Sequence, residues 1–302
     1  MLDRIVRNTG QPPVVLDGGL SNALEDLGFD LTDALWTARI LMDHPEAVAT
    51  VHRAYFRAGA QVATTASYQA SVRGFMTAGV TRETAEDVIR RSVTIARDVR
   101  DELSADGTTR WVAASVGPYG AVLADGSEYR GRYGLSHSAL RDFHRPRMEL
   151  LLSAEPDLFA VETIPDLKEA EVLVELLDEL GIPAWFSYSS RGRTTSAGQP
   201  LNEALATAAA SDHVLAVGVN CCPPSEVLPA AGLVAEVTDK PAVVYPNGGG
   251  DWDAQKRSWG GGSDDVAALA PDWVSAGARL VGGCCRVGPD EIGRLAASLT
   301  AT

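Results

Sequence analysis

Short apolar runs alternate along this chain with longer segments in which apolar residues recur at helical spacing. The runs are rich in valine, alanine and aromatic residues, and each ends at glycine or polar residues, which is typical of buried strands. We therefore predict strands at Val14–Leu16, Val62–Thr65, Trp111–Val116, Leu158–Val161, Pro183–Tyr188, Val214–Val219, Ala242–Tyr245 and Arg279–Val281.

The segments between these runs predict crossover helices. After the fourth strand, Asp166 and Glu169 have the spacing of a capping box, and the apolar residues that follow lie on one helical face. Pro45 suits the first turn of an earlier helix. The predicted helices cover 46–58, 83–103, a segment through His144 and Leu151, 167–180, 202–210, 225–237, 265–276 and 289–299.

The alternation of strand and helix determines the expected fold. Repeated β-then-α units in a chain of 302 residues predict an α/β fold, a (β/α)8 TIM barrel, with residues 1–302 as a single domain. The strands are almost continuously apolar, as in a parallel sheet covered on both faces. A doubly wound open sheet is the alternative, but no Gly-x-Gly-x-x-Gly motif follows the first strand.

The net charge indicates which partners are disfavoured, and the cysteine content indicates the cellular compartment. The chain has 40 acidic and 26 basic residues, a formal net charge of -14, which disfavours nucleic acid and anionic membranes and tolerates a cationic small substrate. No segment reaches membrane-spanning length, and residues 1–8 lack the apolar stretch of a signal peptide. The four cysteines form two adjacent pairs, which favours a reducing compartment, so we expect a cytoplasmic protein.

The residues at the strand ends carry the candidate chemistry. In a barrel of this kind the carboxyl ends of the strands meet on one face, where reacting groups are found. Those ends are unusually rich in carboxylate, amide and thiol groups: Asp17, Thr64, Thr65, Gly117, Glu162, Ser187, Tyr188, Asn220, Cys221, Tyr245, Asn247, Cys284 and Cys285.

The cysteine pairs are the strongest chemical signal in the sequence. Both pairs follow predicted strands, so three thiolates could converge on one soft metal ion, for which zinc fits best. Inert core thiols, a Cys221–Cys284 disulfide and a closed zinc site with four thiolates are the alternatives. The Cys-x-x-Cys spacing of closed sites is absent. We favour three thiolates with the fourth zinc position open.

Several motifs in this order resemble the zinc-dependent homocysteine S-methyltransferases. The first set is Asp17-Gly18-Gly19, Gly218-Val219-Asn220-Cys221 and Gly282-Gly283-Cys284-Cys285. Leu35-Trp36, Ala58-Gly59-Ala60, Thr65 through Ser71, Ser115 through Gly120, Glu162 through Pro165 and Tyr245-Pro246-Asn247 fit the short, stand-alone branch, whose donors are S-methylmethionine or S-adenosylmethionine. The resemblance implies methyl transfer to homocysteine, which yields methionine.

The resemblance also implies a set of site residues. Zn²⁺ would be held by Cys221, Cys284 and Cys285, with Cys222 as a bystander. Thr163 stands where the betaine-using branch has tyrosine, so no tyrosine ligand is expected from that position. Among the expected substrate-binding residues, Glu162 would pair with the α-ammonium group, and Asp17, Gly18 and Gly19 would hold other polar atoms. Asn220 would orient the neighbours of Cys221. Trp36 and Tyr68 are candidates for the sulfonium, with Tyr119, Tyr129 and Tyr133 as possible lid residues.

Other activities remain open from the sequence. The same zinc-thiolate chemistry suits selenocysteine or another thiol as acceptor, and vicinal thiols also suit a barrel that stores zinc or senses redox state without turnover. The expected partners are small-molecule substrates, homocysteine and a sulfonium methyl donor, with no nucleic acid and no membrane, and the sequence does not indicate the oligomeric state. Surface or core positions are expected for all five histidines, and no Ser/His/Asp order supports a hydrolase.

Overall fold

A barrel of parallel strands forms the centre of the molecule. The computed structural model describes residues 10–32, 35–253 and 258–300. The barrel strands are β1 (Val14–Val15), β2 (Val62–Thr64), β3 (Trp111–Val116), β4 (Leu158–Ile164), β5 (Ala184–Tyr188), β6 (Val214–Asn220), β7 (Ala242–Tyr245) and β8 (Ala278–Val281). Their order is β1-β8-β7-β6-β5-β4-β3-β2, and a parallel bridge from Leu16 to Val62 joins β1 to β2. The predicted (β/α)8 barrel is confirmed.

The strands have apolar residues on both faces because both faces are covered. Successive side chains alternate between the barrel interior and the surrounding helices, so Val14 and Leu16 point inward whereas Val15 packs outward. Each fully buried aliphatic or aromatic side chain contributes roughly 1.5–3 kcal/mol. The interior is filled by Val14, Leu16, Val62, Trp111, Ala113, Leu158, Ala160, Trp185, Leu215, Ala216, Val243, Tyr245 and Leu280.

Helices surround the barrel and also cover its mouth. They are α1 (Leu20–Asp26), α2 (Thr37–Asp43), α3 (Pro45–Ala58), α4 (Val72–Thr77), α5 (Arg82–Glu102), α6 (Tyr119–Leu123), α7 (His137–Leu152), α8 (Leu167–Leu180), α9 (Leu201–Ala209), α10 (Val227–Val237), α11 (Val266–Ser275) and α12 (Pro289–Thr300). The predicted crossover helices are all present. The short helices α1, α2, α4 and α6 were not predicted, and they lie in the segments that follow β1, β2 and β3.

Smaller elements complete the loops at the strand ends. Three 3-10 turns cover Ser104–Asp106, Ser127–Tyr129 and Pro224–Glu226. Two antiparallel hairpins pair Ser190–Arg191 with Thr194–Thr195, after β5, and Asp251–Asp253 with Ser258–Gly260, after β7. Within the part of the chain that the structure describes, no helix combines the length and apolar character needed to cross a bilayer.

A buried arginine fixes two of the loops at the mouth. Arg147, on α7, is only 2% exposed. Its guanidinium donates to the carbonyl oxygens of Gly117 (3.1 Å), Ser67 (3.2 Å) and Tyr68 (2.9 Å). These hydrogen bonds tie the loop after β2 to the end of β3, and so they determine where the Tyr68 backbone lies.

One buried histidine has no polar partner in the part of the chain that the structure describes. His52, on α3, is fully buried, and neither ring nitrogen has a hydrogen-bonding partner among the described residues. Burial lowers the pKa of His52 to about 4. The neutral imidazole is therefore the form that the folded protein tolerates.

His52 should make the folded protein sensitive to acid. As the pH falls below about 6.5, the unfolded chain binds a proton on this histidine, whereas the folded chain does so only near pH 4. Stability is therefore lost across this window, by about 2–3 kcal/mol between pH 7 and pH 4.5. The variant His52→Leu should lose less stability than the wild type over the same interval, by that amount, in urea unfolding.

The buried Val48, on the same helix, provides the control for this experiment. Its variant Val48→Ala is less stable at both pH values but should lose as much stability as the wild type between them, because the substitution removes no titratable group. An equal loss in His52→Leu and the wild type would contradict the assignment.

Candidate metal centre and substrate pocket

Three of the four cysteine sulfurs meet at the mouth of the barrel. Cys221 follows β6, and Cys284 and Cys285 lie in the loop after β8. Their Sγ atoms all lie within 4.8 Å of one another, and all three side chains are half-buried. Cys222 is instead buried in the apolar layer between barrel and helices, where burial raises the pKa of its thiol well above the usual range. Cys221 and Cys222 therefore point in opposite directions, whereas the adjacent Cys284 and Cys285 both reach the site.

The loop after β7 holds the two cysteine loops together. The Cys221 amide donates to the carbonyl of Tyr245 (3.3 Å), and the Cys284 amide donates to that of Pro246 (2.7 Å). Cys221 has a φ of 50°, in the left-handed region, which is unusual for a residue other than glycine. Because of this backbone turn at the strand end, the Cys221 side chain points to the mouth and the Cys222 side chain points to the apolar layer.

The structure joins Cys221 and Cys284 in a disulfide, whereas the sequence favours free thiolates. Their Cα atoms are 5.6 Å apart although the residues are separated by 63 positions. That Cα separation lies in the range that a disulfide needs, because the ends of β6 and β8 flank the same strand. Cys285 is a free thiol. Two electrons and two protons must be added before all three sulfurs are available as ligands.

The reduced cysteines would fit a soft metal ion. Tetrahedral zinc has Zn–S distances of about 2.3 Å, which places bound sulfurs roughly 3.8 Å apart. The three Sγ atoms, all within 4.8 Å of one another, need only small shifts to reach this arrangement. Burial, together with Glu25, Glu162 and Glu128, raises the pKa of the Cys285 thiol to about 12. A cation is therefore needed to hold it as a thiolate at neutral pH.

Glu162 supplies a buried carboxylate at the same face. It lies within β4, is 8% exposed, and accepts a hydrogen bond from the Ser115 hydroxyl. Burial raises the pKa of Glu162 to about 7, although hydrogen bonds from Ser115 and Tyr245 act in the opposite direction. Among the described residues no arginine or lysine pairs with it. A bound cation would therefore compensate a charge that the protein leaves unpaired.

Asp17 is the second buried carboxylate. It follows β1, and its two oxygens accept hydrogen bonds from the amide (2.7 Å) and the hydroxyl (2.8 Å) of Thr64. Burial, with a smaller contribution from the nearby Glu162, raises the pKa of Asp17 to about 7. Asp17 thus ties β1 to β2, and it also adds negative potential to the pocket that contains Glu162.

The glycines after Asp17 allow a close approach of two loops. A Cβ atom on Gly18 would collide with the Val287 carbonyl oxygen, and one on Gly19 would lie 2.7 Å from the Cys284 carbonyl oxygen. The Gly19 amide donates to the Val287 carbonyl (2.9 Å), and its expected contact with substrate stays a prediction. Both glycines pack the loop after β1 against the cysteine loop.

Asn220 is a positioning residue inside the barrel. Its amide oxygen accepts from the Thr163 amide and the Ser187 hydroxyl, each at 2.8 Å, and its nitrogen donates to the Thr163 hydroxyl (2.7 Å). Thr163 has a φ of 62°, which these hydrogen bonds hold in place. Since Asn220 is fully buried and uses three of its four hydrogen-bonding positions in this way, it orients the strand ends.

The aromatic candidates differ in where they lie. The half-buried Tyr68 ring lies against Gly117, and its hydroxyl is hydrogen-bonded to Thr163, so Tyr68 belongs to the pocket. Tyr129 is within electrostatic range of Cys285 and Glu162. Trp36 is half-buried against the outer apolar layer, next to residues 33–34, which lie outside the described ranges.

The other two tyrosines of the long third loop pack with each other. The ring centroids of Tyr119 and Tyr133 are 5.3 Å apart, and Phe143 lies 5.0 Å from Tyr119. These contacts give Tyr119 and Tyr133 a packing role, while the suggestion that they form a lid stays a prediction.

The sequence singles out Thr64 by its position at a strand end, but it gives no role to two other polar residues of the pocket. Ser115 lies inside an apolar strand, and Glu128 lies in a loop without periodicity. Neither Ser115 nor Glu128 has a comparable signal, because their neighbours come from other strands and loops.

Known proteins match this chain over nearly its whole length. The family model described as Homocysteine S-methyltransferase matches residues 14–299. Homocysteine S-methyltransferase from Escherichia coli is 44% identical, covering 95% of each chain. Selenocysteine Se-methyltransferase from Brassica oleracea is 41% identical, covering 96% of this chain and 90% of that protein.

Solved structures agree with this match. The metallated form of the homocysteine methyltransferase MmuM from Escherichia coli superposes with a TM-score of 0.87 at 43% identity, covering 95% of this chain and 96% of that one. Its oxidized form gives a TM-score of 0.87 at 42% identity, with coverage of 98% and 99%. With three cysteine sulfurs gathered at the mouth of a barrel of this fold, the chain belongs to the homocysteine S-methyltransferase family.

Proposed function

We propose that this enzyme transfers a methyl group from a sulfonium donor to homocysteine, using a zinc ion held by Cys221, Cys284 and Cys285. The observation that carries the proposal is the meeting of these three sulfurs within 4.8 Å at the mouth of the barrel. Three soft thiolates favour zinc over magnesium or calcium, which prefer oxygen ligands. Zinc bound by these thiolates would lower the pKa of a fourth thiol ligand, so that its sulfur is nucleophilic at neutral pH.

The disulfide makes the proposed activity depend on reduction. While Cys221 is bonded to Cys284, at most one of the three sulfurs is a free thiol. A reducing compartment such as the cytoplasm would keep all three available. We therefore assign the metal site to the reduced protein.

The buried carboxylates suit the amino-acid end of homocysteine. Glu162 has no basic partner among the described residues, and the pKa of Asp17 is raised by burial and further by the nearby charge of Glu162. An α-ammonium group near Glu162 would neutralise this negative potential. Ser115 and Tyr245, which hydrogen-bond Glu162, would hold its carboxylate in a fixed orientation.

The transfer itself needs alignment more than acid–base chemistry. The bond between the methyl carbon and the donor sulfur breaks, its electron pair stays on that sulfur, and a new bond forms to the homocysteine sulfur, whose proton was released on binding. The donor leaves as a neutral thioether. Tyr68, held by Thr163 and packed on Gly117, offers an aromatic face for the sulfonium charge, and Trp36 is a second candidate.

Two alternatives make different predictions. Selenocysteine as acceptor would use the same residues, and one relative is named for that activity. A redox-sensing barrel without turnover would use the Cys221–Cys284 disulfide alone. Reduced, zinc-loaded protein incubated with homocysteine and either S-methylmethionine or S-adenosylmethionine should form methionine, and selenocysteine tested in parallel measures acceptor breadth. An absence of methionine with both donors would contradict the proposed function.

Cysteine variants test the metal ligands directly. In reduced protein, alanine in place of Cys221, Cys284 or Cys285 should abolish bound zinc and lower methyl transfer by at least about 100-fold, because two thiolates cannot complete the site. Zinc content is measured by atomic emission spectroscopy, and activity by methionine formation.

Cys222 is the matched control for these variants. Cys222→Ala should keep one zinc ion and activity within about threefold of the wild type, since this sulfur lies in the apolar layer away from the other three. Loss of zinc in Cys222→Ala, or full activity in any of the other three variants, would contradict the ligand assignment.

Glu162→Gln tests the ammonium contact separately from the metal. The substitution removes the charge but keeps a side chain of similar shape that can still accept from Ser115. The KM for homocysteine should rise by about 10-fold or more, because a hydrogen bond to a charged group is worth roughly 1.5–3 kcal/mol. Zinc content should not change. Glu171→Gln, at an exposed position on α8, should leave both values unaltered, and an unaltered KM in Glu162→Gln would contradict the contact.

A further inference from the structure

Glu128 has a buried carboxylate oxygen that no described protein group satisfies. The residue lies in the 3-10 turn Ser127–Tyr129, in the loop after β3. Its Oε2 atom is buried and has no hydrogen-bonding partner among the described residues. Burial raises the pKa of Glu128, and the charge of Arg130 offsets only part of this shift.

The backbone of Glu128 is firmly held. Its carbonyl oxygen accepts a hydrogen bond from the Ser189 hydroxyl (3.3 Å). Its amide nitrogen packs so closely on Gly120 that a Cβ atom there would lie 2.5 Å away. The turn is closed by a hydrogen bond from the Gly131 amide to the Ser127 carbonyl (2.9 Å). The carboxylate therefore projects from a fixed position.

That position faces the pocket. The turn lies at the mouth of the barrel, where Gly120, which packs on the Glu128 amide, follows β3, and Ser189, which donates to the Glu128 carbonyl, follows β5. Tyr129 is the next residue of the turn, and the Tyr68 ring lies against Gly117 at the same end of β3. The nearest basic residue of the turn, Arg130, donates to Ser127 (2.7 Å) and pairs with Asp125 (3.8 Å). No described cation is paired with Glu128.

Glu128 and Glu162 occupy different parts of the pocket wall. Glu162 belongs to a barrel strand and contacts the interior residues Ser115 and Tyr245. Glu128 comes from a loop and lies near two tyrosine rings, a combination of negative charge and aromatic faces that suits an organic cation. The two carboxylates can therefore serve two different substrates.

We propose that Glu128 recognises the positive sulfur of the methyl donor, beside Tyr68 and Tyr129, while Glu162 takes the ammonium group of the acceptor. The inference rests on the proposed function. Transfer removes the positive charge from the donor sulfur, so attraction to Glu128 ends with the reaction and the neutral thioether is released. Glu128 is in this sense a specificity residue for sulfonium donors.

The test uses reduced, zinc-loaded full-length protein with S-methylmethionine and its thioether product, methionine. The two molecules share the α-ammonium and carboxylate groups and differ in the methyl group and its charge. In Glu128→Gln the KM for S-methylmethionine should rise by about 10-fold or more, whereas the inhibition constant of methionine, measured in competition with the donor, should change by less than twofold. The KM for homocysteine and the zinc content should match the wild type.

Glu25 provides the matched control. Its carboxylate also lies at the mouth, on α1 after β1, but it is exposed and accepts from the Asn22 amide (3.0 Å). Glu25→Gln should leave the KM for the donor unchanged. Glu128→Gln removes an unpaired buried charge, so the melting temperature of this variant should equal or exceed that of the wild type. An increase in its KM could then not be caused by unfolding.

Two other outcomes would overturn the proposal. Equal weakening of donor and methionine would assign Glu128 to the ammonium group, and an unchanged KM for the donor would remove it from recognition. Both leave the proposed function intact, provided that the wild type forms methionine. A wild type that forms none would refute the proposed function itself, and this inference with it.

Discussion

The parallel register of three neighbouring strands brings the reactive groups of this enzyme together. β6, β7 and β8 lie side by side, so the loops that follow them open on one face. Hydrogen bonds from Cys221 to Tyr245 and from Cys284 to Pro246 then hold two distant thiols against the same short segment. A metal site or a disulfide can form there because the barrel has already met the entropic cost of bringing these sulfurs together.

Negative charge is the second property of this mouth. Asp17, Glu162 and Glu128 are partly or fully buried around the cysteines, and burial raises the pKa of all three. Such a site is unfavourable when empty of cations, and each proposed ligand brings one: a metal ion, an α-ammonium group or a sulfonium. The geometry thus favours substrates that neutralise the pocket, and it disfavours products that have lost their positive charge.

The barrel could be predicted from the sequence because each buried strand is a continuous apolar run, and the cysteines could be located because they end two of those runs. The short helices at the mouth could not be predicted from the sequence, because helices of so few turns depend on tertiary packing. The direction of Cys221 depends on a left-handed backbone turn, and the partners of Asn220 and Glu128 come from other strands and loops. Contacts of this kind leave no periodic signal in the chain.

The central claim is that three cysteine sulfurs bind one ion and leave one position for the acceptor. X-ray absorption at the zinc edge counts the ligands of the reduced, zinc-loaded protein without and with homocysteine. Three sulfurs and one lighter atom should become four sulfurs when homocysteine is added, because its thiol takes the open position. Four sulfurs before homocysteine is added, or three afterwards, would contradict the account.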